Sequence, residues 1–332
     1  MASIKQFAER RDNIASIVSF VRSVGAATRI EISSALALSW ACVSDLVALL
    51  VEAEILVETN AAKERARGES RGRVPTYLSL NEKKYFLGID INDSGISVTN
   101  LSINGAVTQK RSWEPESFAD EGELSRSVCD KISAMLREKS DCCGIGVAME
   151  GSRASDGGWN YPFTKGSMSV SPQKIIGNCF GLPVYARHDP ECMLYAAADS
   201  IDIDAMALRV DTGIGIAAMK NGRILELPLE LGYIQVGDKR LKDILGACRK
   251  SGDYNKIADE LGRATANLAM LLGVNTVFIV GKITEWLGSV TDVFDKAFKS
   301  VGKNLEYRVS GVIDASEGAA KVAMAEYPSL EG

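Results

Sequence analysis

The 332-residue sequence predicts an α/β protein in which an N-terminal winged helix-turn-helix precedes two α/β lobes with a ligand cleft between them. The length exceeds what one hydrophobic core usually serves. Helical patterns followed by a strand pair occupy the first 80 residues, and strand and helix patterns then alternate twice. We expect the winged helix-turn-helix with its linker at 1–80, a first lobe at 84–189 joined by a C-terminal helix at 316–327, and a second lobe at 190–315.

Composition is that of a globular protein, with 46% hydrophobic and 24% charged residues, which excludes disordered and fibrous classes. No apolar run approaches the roughly 20 residues that a membrane-spanning helix needs. The first residues, MASIKQFAERRDN, lack the apolar core of a signal peptide. The sequence therefore predicts a cytoplasmic protein without a membrane partner.

Seven cysteines and a single histidine limit the possible metal and catalytic sites. The cysteines form no C-x-x-C pair, so neither a disulfide framework nor a thiolate zinc site is indicated, and most are expected to be small buried residues. A Ser-His-Asp triad would have to be built on His188.

The first two helices are marked by an apolar stripe and a capping box. Ile14, Val18 and Val21 share one face of a helix that ends near Gly25. Thr28-Arg29-Ile30-Glu31 has the spacing in which a threonine hydroxyl and a glutamate carboxylate satisfy free amide groups at a helix start. A short second helix is expected after Thr28.

Ser39 is placed to cap a third helix, in which Val43, Leu46, Val47 and Leu50 share one face. EILVE and TYLSL then predict two strands flanking a polar loop. Three helices and a two-stranded wing are typical of a DNA-binding winged helix, and the alternative is a small helical dimerisation or scaffold module.

Positive charge in this region is concentrated in the wing. The first 80 residues contain ten Lys and Arg against nine Asp and Glu, and five of these cations are Lys63, Arg65, Arg67, Arg71 and Arg73. The segment RGRVP has a shape that can lie in a narrow minor groove, although a solvated linker has the same composition.

The third helix contains no lysine or arginine. Base contacts by this helix would therefore fall to Ser39, Trp40, Ala41 and Ser44.

The remaining residues predict two similar α/β units. YFLGIDIN, GISVTNLSI and VTQKRSW read as three strands with a turn at Asn104-Gly105, followed by a helix near Leu124 to Leu136 and the strand GIGVAM. The second unit has a turn at Asn221-Gly222, a helix near Lys256 to Leu272 and the strand TVFIV.

Seven motifs occur in one order along the chain: the winged helix, G-R-x-P, LGID, a strand-D-helix element at His188-Asp189, T-G-I-G, E-x-G at 230–232, and EGAAKVAMAE. In this order the sequence resembles the ROK family of repressors, open reading frames and sugar kinases. The resemblance implies a two-lobe actin-like, hexokinase-like (ribonuclease H-like) ATPase fold that binds a sugar between its lobes.

The resemblance also implies roles for the sugar-side residues. Asp189 matches the aspartate that acts as general base in ROK kinases, although an aspartate before Pro190 is also a typical N-cap. His188 stands where the family has an asparagine that contacts sugar. Glu230, Asn160 and Tyr233 complete the expected ligand-binding set, and the alternative for Glu230 and Asn160 is an exposed loop.

On the phosphate side the chain departs from the kinase pattern. Asn92 and Ala217 replace glycines, Asp211 adds a carboxylate at the start of the turn, and Lys282 replaces the second glycine of the nucleotide-side pair. The family's zinc ligands are missing as well, because only Cys248 follows Tyr233 in the relevant stretch. We therefore expect no zinc and no ATP.

The sequence as a whole predicts a ROK-type transcriptional regulator, a homodimer or dimer of dimers, whose partners are operator DNA and a sugar or sugar-derivative effector. One alternative is a sugar kinase with an added domain, in which Asp189 would be catalytic. Another is a DNA-binding protein whose cleft binds no small molecule.

Overall fold

The computed structural model describes residues 4–59, 76–92, 95–154, 158–163, 166–198, 203–211, 213–225, 231–302, 304–311 and 313–327. The α-helices in these ranges are α1 (Ile4–Val24), α2 (Arg29–Leu36), α3 (Trp40–Glu52), α4 (Glu121–Met135), α5 (Pro172–Phe180), α6 (Asp189–Ala197), α7 (Leu241–Ser251), α8 (Asn255–Leu272), α9 (Thr284–Leu287), α10 (Thr291–Lys299) and α11 (Ala315–Glu326).

Strands in the N-terminal half of the described chain are β1 (Ala26–Thr28), β2 (Leu56–Thr59), β3 (Tyr77–Leu80), β4 (Tyr85–Asn92), β5 (Gly95–Ser102), β6 (Val107–Trp113), β7 (Cys142–Met149), β8 (Ser152–Arg153), β9 (Trp159–Phe163) and β10 (Gly166–Val170). Those that follow are β11 (Val184–His188), β12 (Ala205–Val210), β13 (Ile214–Lys220), β14 (Arg223–Ile224), β15 (Gln235–Val236), β16 (Lys239–Arg240), β17 (Thr276–Val280) and β18 (Glu306–Gly311).

Residues 4–59 and 76–80, which we call the head, contain α1, α2 and α3 beside a small antiparallel sheet. The capping box is confirmed: the Glu31 carboxylate accepts from the Thr28 N–H at 2.7 Å, and the Thr28 hydroxyl accepts from the Glu31 N–H at 3.2 Å. The prediction of a two-stranded wing was incomplete. The sheet has the order β1-β3-β2, because the short stretch before α2 pairs with β3.

Two five-stranded sheets form the lobes, and they repeat one topology. The sheet of the first lobe has the order β11-β7-β4-β5-β6, and that of the second has the order β14-β13-β12-β17-β18. In each sheet, three strands form an antiparallel meander. The first strand of the meander also pairs in parallel with a fourth strand, and the fourth pairs in parallel with a fifth. The parallel strands β4 and β7 are buried along nearly their whole length, which explains their continuous apolar runs.

Helix α11 packs against β4 and β7 of the first lobe through very small residues. A Cβ at Gly88 would overlap the Ser316 carbonyl oxygen, and one at Gly146 would overlap the Ala319 carbonyl oxygen. At the opposite face of α11, a Cβ at Gly318 would overlap the carbonyl oxygen of Cys192 in α6. Glycine at these positions allows close backbone approach, so α11 joins the first sheet to α6.

The head shares a hydrophobic core with the first lobe and α11. Buried residues from α1, α3 and β3 form one cluster with Phe86, Leu101, Ala320 and Met324. Lys84, whose side chain is 8% exposed, donates to the Ser140 carbonyl oxygen at 3.0 Å and pairs with Glu54 of the head and Asp141 of the first lobe. The head is therefore packed onto the first lobe as a unit.

Cys129 of α4 and Cys179 of α5 form a disulfide bond, so the expectation of no disulfides was wrong at this pair. The spacing of 50 residues carries no motif, and the packing of α4 against α5 brings the sulfurs together. Four other cysteines, Cys142, Cys143, Cys192 and Cys248, are buried as expected. Within the described ranges, no helix is long and apolar enough to cross a membrane.

Candidate functional site

Two adjoining cavities lie between the lobes. One has a volume of about 260 Å³ and the other about 180 Å³, and both are lined by Glu150, Arg209 and Asp211. Asp90 and Asp314 line only the larger cavity. His188 and Asp189 line only the smaller one, together with the T-G-I-G turn.

A chain of ion pairs crosses the smaller cavity. Asp189 is 2% exposed at the start of α6, and its carboxylate pairs with the Arg209 guanidinium from β12 of the second lobe. The Nε of Arg209 also donates to Oδ2 of Asp211. Arg209 lies near the end of β12 and Asp211 directly follows that strand, so a single guanidinium bridges the Asp189 and Asp211 carboxylates.

Asp211 also occupies a backbone amide that could otherwise bind an anion. Its Oδ1 accepts from the Lys282 N–H at 2.6 Å, directly after Gly281, whose φ is +89°. A Cβ at Gly281 would lie 2.6 Å from the same oxygen. The Asp211 carboxylate therefore occupies the position that a phosphate oxygen would take if this N–H were free.

The larger cavity contains a second buried carboxyl group. Asp90 is 4% exposed at the end of β4, its Oδ2 accepts from the Asn92 amide at 2.9 Å, and its Oδ1 has no hydrogen-bond partner among the described residues. Burial, reinforced by the nearby Asp314 charge, raises the pKa of Asp90 to about 7. Burial also acts to raise the pKa of Asp314, but hydrogen bonds from Lys110, Ser316 and Ser97 outweigh it and lower that pKa.

His188 is held by two contacts that orient its ring. Its Nε2 lies 2.7 Å from the Gly151 carbonyl oxygen, which can only accept, so Nε2 carries the proton. The Trp159 ring stacks parallel to it with centroids 6.1 Å apart. The expectation that Asp189 is the N-cap was wrong by one residue. His188 occupies that position, and Asp189 begins the first turn of α6.

The glycines of the T-G-I-G turn have separate roles. A Cβ at Gly215 would lie 2.8 Å from Cγ of Pro190, so this glycine allows α6 to approach β13. Gly213 has open space around it and lines the smaller cavity. Ala217 is buried inside β13 and lines neither cavity, so the expectation that its methyl group alters the phosphate site is not supported by its position.

The other predicted ligand residues are placed differently. Asn160 is exposed on β9, and Tyr233 is 53% exposed with the Lys242 ammonium 3.7 Å from its ring centre. Neither lines these two cavities. Glu230 lies outside the described residues. Among the described members of the predicted set, the structure therefore brings together His188 and Asp189.

On the head, the four predicted base-contacting residues lie at the start of α3. Ser39 uses its hydroxyl as the N-cap, accepting from the Cys42 N–H at 3.2 Å. Trp40 is 55% exposed, Ala41 is also exposed, and Ser44 is half-buried. The charged residues of α3 are both acidic, Asp45 and Glu52. Lys63, Arg65, Arg67, Arg71 and Arg73 lie outside the described residues.

The sequence did not lead us to predict Arg209 as a residue of the cleft. The signal was present as R-V-D immediately before the T-G-I-G turn, since a cation and an anion two residues apart on a strand share one face. The partner Asp189 is 20 positions away and could not be assigned from spacing. Among the described residues, no group of three or more His, Cys, Asp or Glu side chains is arranged to hold a metal ion.

Solved structures with the same fold include ROK family proteins. A ROK family transcriptional regulator, a homologue of the E. coli MLC protein, is 16% identical, covers 96% of this chain and 97% of its own, and has a TM-score of 0.75. A ROK hexokinase from Thermus thermophilus is 16% identical and covers 73% of this chain and 97% of its own, with a TM-score of 0.60. A ROK family glucokinase from Streptomyces griseus, solved with glucose and AMPPNP, is 16% identical, covers 72% and 98%, and has a TM-score of 0.52.

Sequence comparison is less informative. No family model matches the chain. The uncharacterized protein y4fQ of Sinorhizobium fredii is 23% identical over 208 residues, which are 59% of this chain and 51% of y4fQ. The chain thus spans about half the length of that curated relative. The predicted fold class, a helix-turn-helix followed by a two-lobe actin-like domain, is confirmed by the structural neighbours, which include both a regulator and kinases.

Proposed function

We propose that this protein is a ROK-type transcriptional regulator that binds operator DNA through the head and senses a sugar or sugar derivative in the cleft. The observation that carries the proposal is the Asp189-Arg209-Asp211 chain of ion pairs. A kinase needs a carboxylate free to take a proton and bare amides free to hold phosphate. Here the Asp189 carboxylate is already paired with Arg209, and the Lys282 N–H already donates to the Asp211 carboxylate.

Polar groups in the cleft remain suited to hydroxyl ligands. Carboxylates can each accept hydrogen bonds from sugar hydroxyls, and the His188 ring, stacked on the buried Trp159, lines the smaller cavity. A ligand that bonds to Asp189 competes with Arg209, and this competition alters the contact between α6 and the second lobe. Since α6 packs on α11 and α11 shares the core of the head, a change in lobe closure can bias the position of the head.

DNA binding is proposed to depend on two parts of the head. The cationic residues of the wing between Lys63 and Arg73 would contact phosphates or a narrow minor groove. Residues at the start of α3, chiefly Trp40, would contact base edges. In a homodimer or dimer of dimers, two heads would read a paired site.

The test is fluorescence anisotropy with a selected operator and a scrambled duplex at several salt concentrations. The double change Arg71→Ala, Arg73→Ala should weaken binding to every duplex and lower the salt slope by about 1 for each arginine–phosphate interaction that it removes. Trp40→Ala should instead change the preference between the two duplexes. If the wild-type protein binds no duplex at any salt concentration, the head is a structural or dimerisation module.

A sugar kinase is the alternative, because Asp189 begins a helix at the interlobe cleft and solved ROK kinases share the two-lobe fold. A coupled ATPase assay across hexoses and N-acetylhexosamines decides between them. We expect no turnover above background. Turnover that disappears in Asp189→Asn would make the protein an enzyme and would refute the regulator-only proposal.

A further inference from the structure

Among the described residues, acidic side chains outnumber basic ones along the walls of the cleft. Among the described residues, the carboxylates that line the two cavities are Asp90, Glu150, Asp189, Asp211 and Asp314. The cations that line them are Arg209 and Lys282. A buried carboxylate without a cation is costly, so a ligand that supplies positive charge would gain more here than a neutral one.

The cations in and near the cleft pair with some of its carboxylates but not with others. Arg209 pairs with both Asp189 and Asp211 in the smaller cavity. Lys110 pairs with Asp314 at 2.8 Å without lining either cavity. Asp90 forms no salt bridge with any described residue, and its one side-chain donor is the neutral amide of Asn92.

Asp90 is therefore the carboxylate at which a positively charged group of a ligand would bind. Its side chain is at least nine-tenths buried, it lines the larger cavity, and its Oδ1 lacks a hydrogen-bond partner among the described residues. Burial and the Asp314 charge raise the pKa of Asp90, and the nearby Arg209 charge opposes this only in part, which agrees with a carboxylate that gains from a further positive charge. The two independent observations, an acidic wall and an unpartnered buried oxygen, coincide in one cavity.

Anionic ligands are disfavoured for a separate reason. The Lys282 N–H, which could meet a phosphate oxygen, already donates to Asp211. A phosphate placed in the larger cavity would have to displace Asp211 and would face Asp90 and Asp314.

We infer that the effector is an aminated polyol of monosaccharide size, such as an amino sugar, whose protonated amine binds at Asp90 and which carries no phosphate. This inference rests on the proposed sugar-sensing function and specifies its ligand class. An ammonium group provides three donors and one charge, which suits a lone carboxylate oxygen between polar walls.

A matched ligand series tests the inference on the wild-type protein by thermal shift and isothermal titration calorimetry. The probes are glucosamine, galactosamine and mannosamine, each with its N-acetyl form, together with glucose and glucosamine 6-phosphate. Acetylation removes the positive charge but adds an acetyl group, so glucose, which has a small neutral hydroxyl at the same carbon as the amine of glucosamine, separates the effect of charge from that of size. We expect at least one free amine to bind at least tenfold more tightly than its N-acetyl form, and the phosphate to abolish binding.

A matched pair of variants locates the amine. Asp90→Asn keeps the shape of the side chain and removes its charge, and it should weaken amine binding at least tenfold while leaving the N-acetyl form unchanged. Asp295→Asn removes a half-buried carboxylate on α10 that pairs with Lys299 and lines neither cavity, and it should change neither. If Asp90→Asn does not fold, the ligand series on the wild-type protein still decides the question.

Several results would overturn the inference. They are equal binding of an N-acetyl form and its amine, tight binding of glucosamine 6-phosphate, failure of all three amines, or magnesium chloride alone stabilising the protein in a manner that requires Asp90. Failure of this inference is distinguishable from failure of the proposed function. In the first case a neutral sugar still alters operator binding, whereas in the second no sugar does so or no DNA is bound.

Discussion

The two lobes have the same strand order but different partners. The first-lobe sheet is covered by α11 and shares a core with the head, whereas the second-lobe sheet has one core of its own strands and helices and shares another with α6 and α11. Asp189 begins α6 beside the first lobe, and its partner Arg209 comes from the second. Of the two lobes, the first therefore carries the head, and the second packs on α6 and α11 and meets the first across the ion-paired cleft.

This difference separates two kinds of contact with the head. The first lobe meets the head through buried apolar side chains and the enclosed Lys84, whereas the second lobe meets it through the exposed pair Arg223-Asp12 at 2.8 Å. Apolar burial and enclosed charges hold elements together strongly, and exposed ion pairs contribute little. Motion of the second lobe relative to the head is therefore expected to be easier than motion of the first.

Breaking the ion-paired cleft should have the largest effect. Arg209→Ala leaves Asp189, which is 2% exposed, without its cation, and we expect the free energy of unfolding to fall by about 3–5 kcal/mol. Urea denaturation measures this loss. As a control, Arg263→Ala removes the exposed i,i+4 pair with Asp259 and should cost about 0–1 kcal/mol. Equal losses in the two variants would show that the cleft pair has no special role.

The second-largest loss of stability is expected from crowding the contact between the first lobe and α11. Gly146→Ala places a methyl group on the Ala319 carbonyl oxygen, and the forced displacement should cost about 3 kcal/mol. Gly246→Ala, inside α7 with nothing near its Cβ, should instead stabilise the protein by roughly 0.5–1 kcal/mol. Thermal unfolding of both variants gives the comparison, and a stable Gly146→Ala protein would contradict the close packing described for α11.

A smaller effect is expected from pH. Because the folded-state pKa of Asp90 is raised to about 7 from an ordinary value near 3.8, the folded state binds more protons than the unfolded chain between those values. The Asp90 contribution to the free energy of unfolding should therefore fall as pH rises from about 4 to about 7, with a slope of at most about 1.4 kcal/mol per pH unit. Denaturation at several pH values, compared with Asp90→Asn, isolates this contribution. An identical pH dependence in the variant would contradict it.

The smallest effects concern the attachment of the head. Lys84→Met removes an enclosed ammonium and its bonds to Glu54, Asp141 and the Ser140 carbonyl, which should cost about 1.5–2 kcal/mol and increase proteolysis near the head. Arg223→Met removes the exposed bridge from the second lobe and should cost about 0–1 kcal/mol. The reverse ranking would mean that the head is held by the second lobe.

Local signals in the sequence predicted local structure well. The Thr28-Glu31 capping box, the Ser39 cap and the Asn104-Gly105 turn are all confirmed, because each depends on atoms within a few residues of one another. The order of motifs along the chain also led to the correct fold class.

The composition of the cleft was predicted only in part. His188 and Asp189 were expected at a strand end and are found there, while Asn160 and Tyr233 lie away from the two cavities. Arg209 and Asp314 were not predicted as cleft residues, since a side chain's function there depends on which strand ends meet across the lobes. The Cys129-Cys179 disulfide was not predicted, because it depends on the packing of α4 against α5.

By itself the sequence determined the helix caps, the turns, the apolar faces and the loss of glycine at Asn92, all of which follow from backbone conformation and short-range hydrogen bonding. Only the tertiary structure decided that Arg209 pairs with Asp189, that the Lys282 N–H donates to Asp211, and that Oδ1 of Asp90 has no hydrogen-bond partner among the described residues. The physical reason is that charge interactions act through space over a few ångströms. Residues far apart in the chain become partners only when the two lobes fold and pack together.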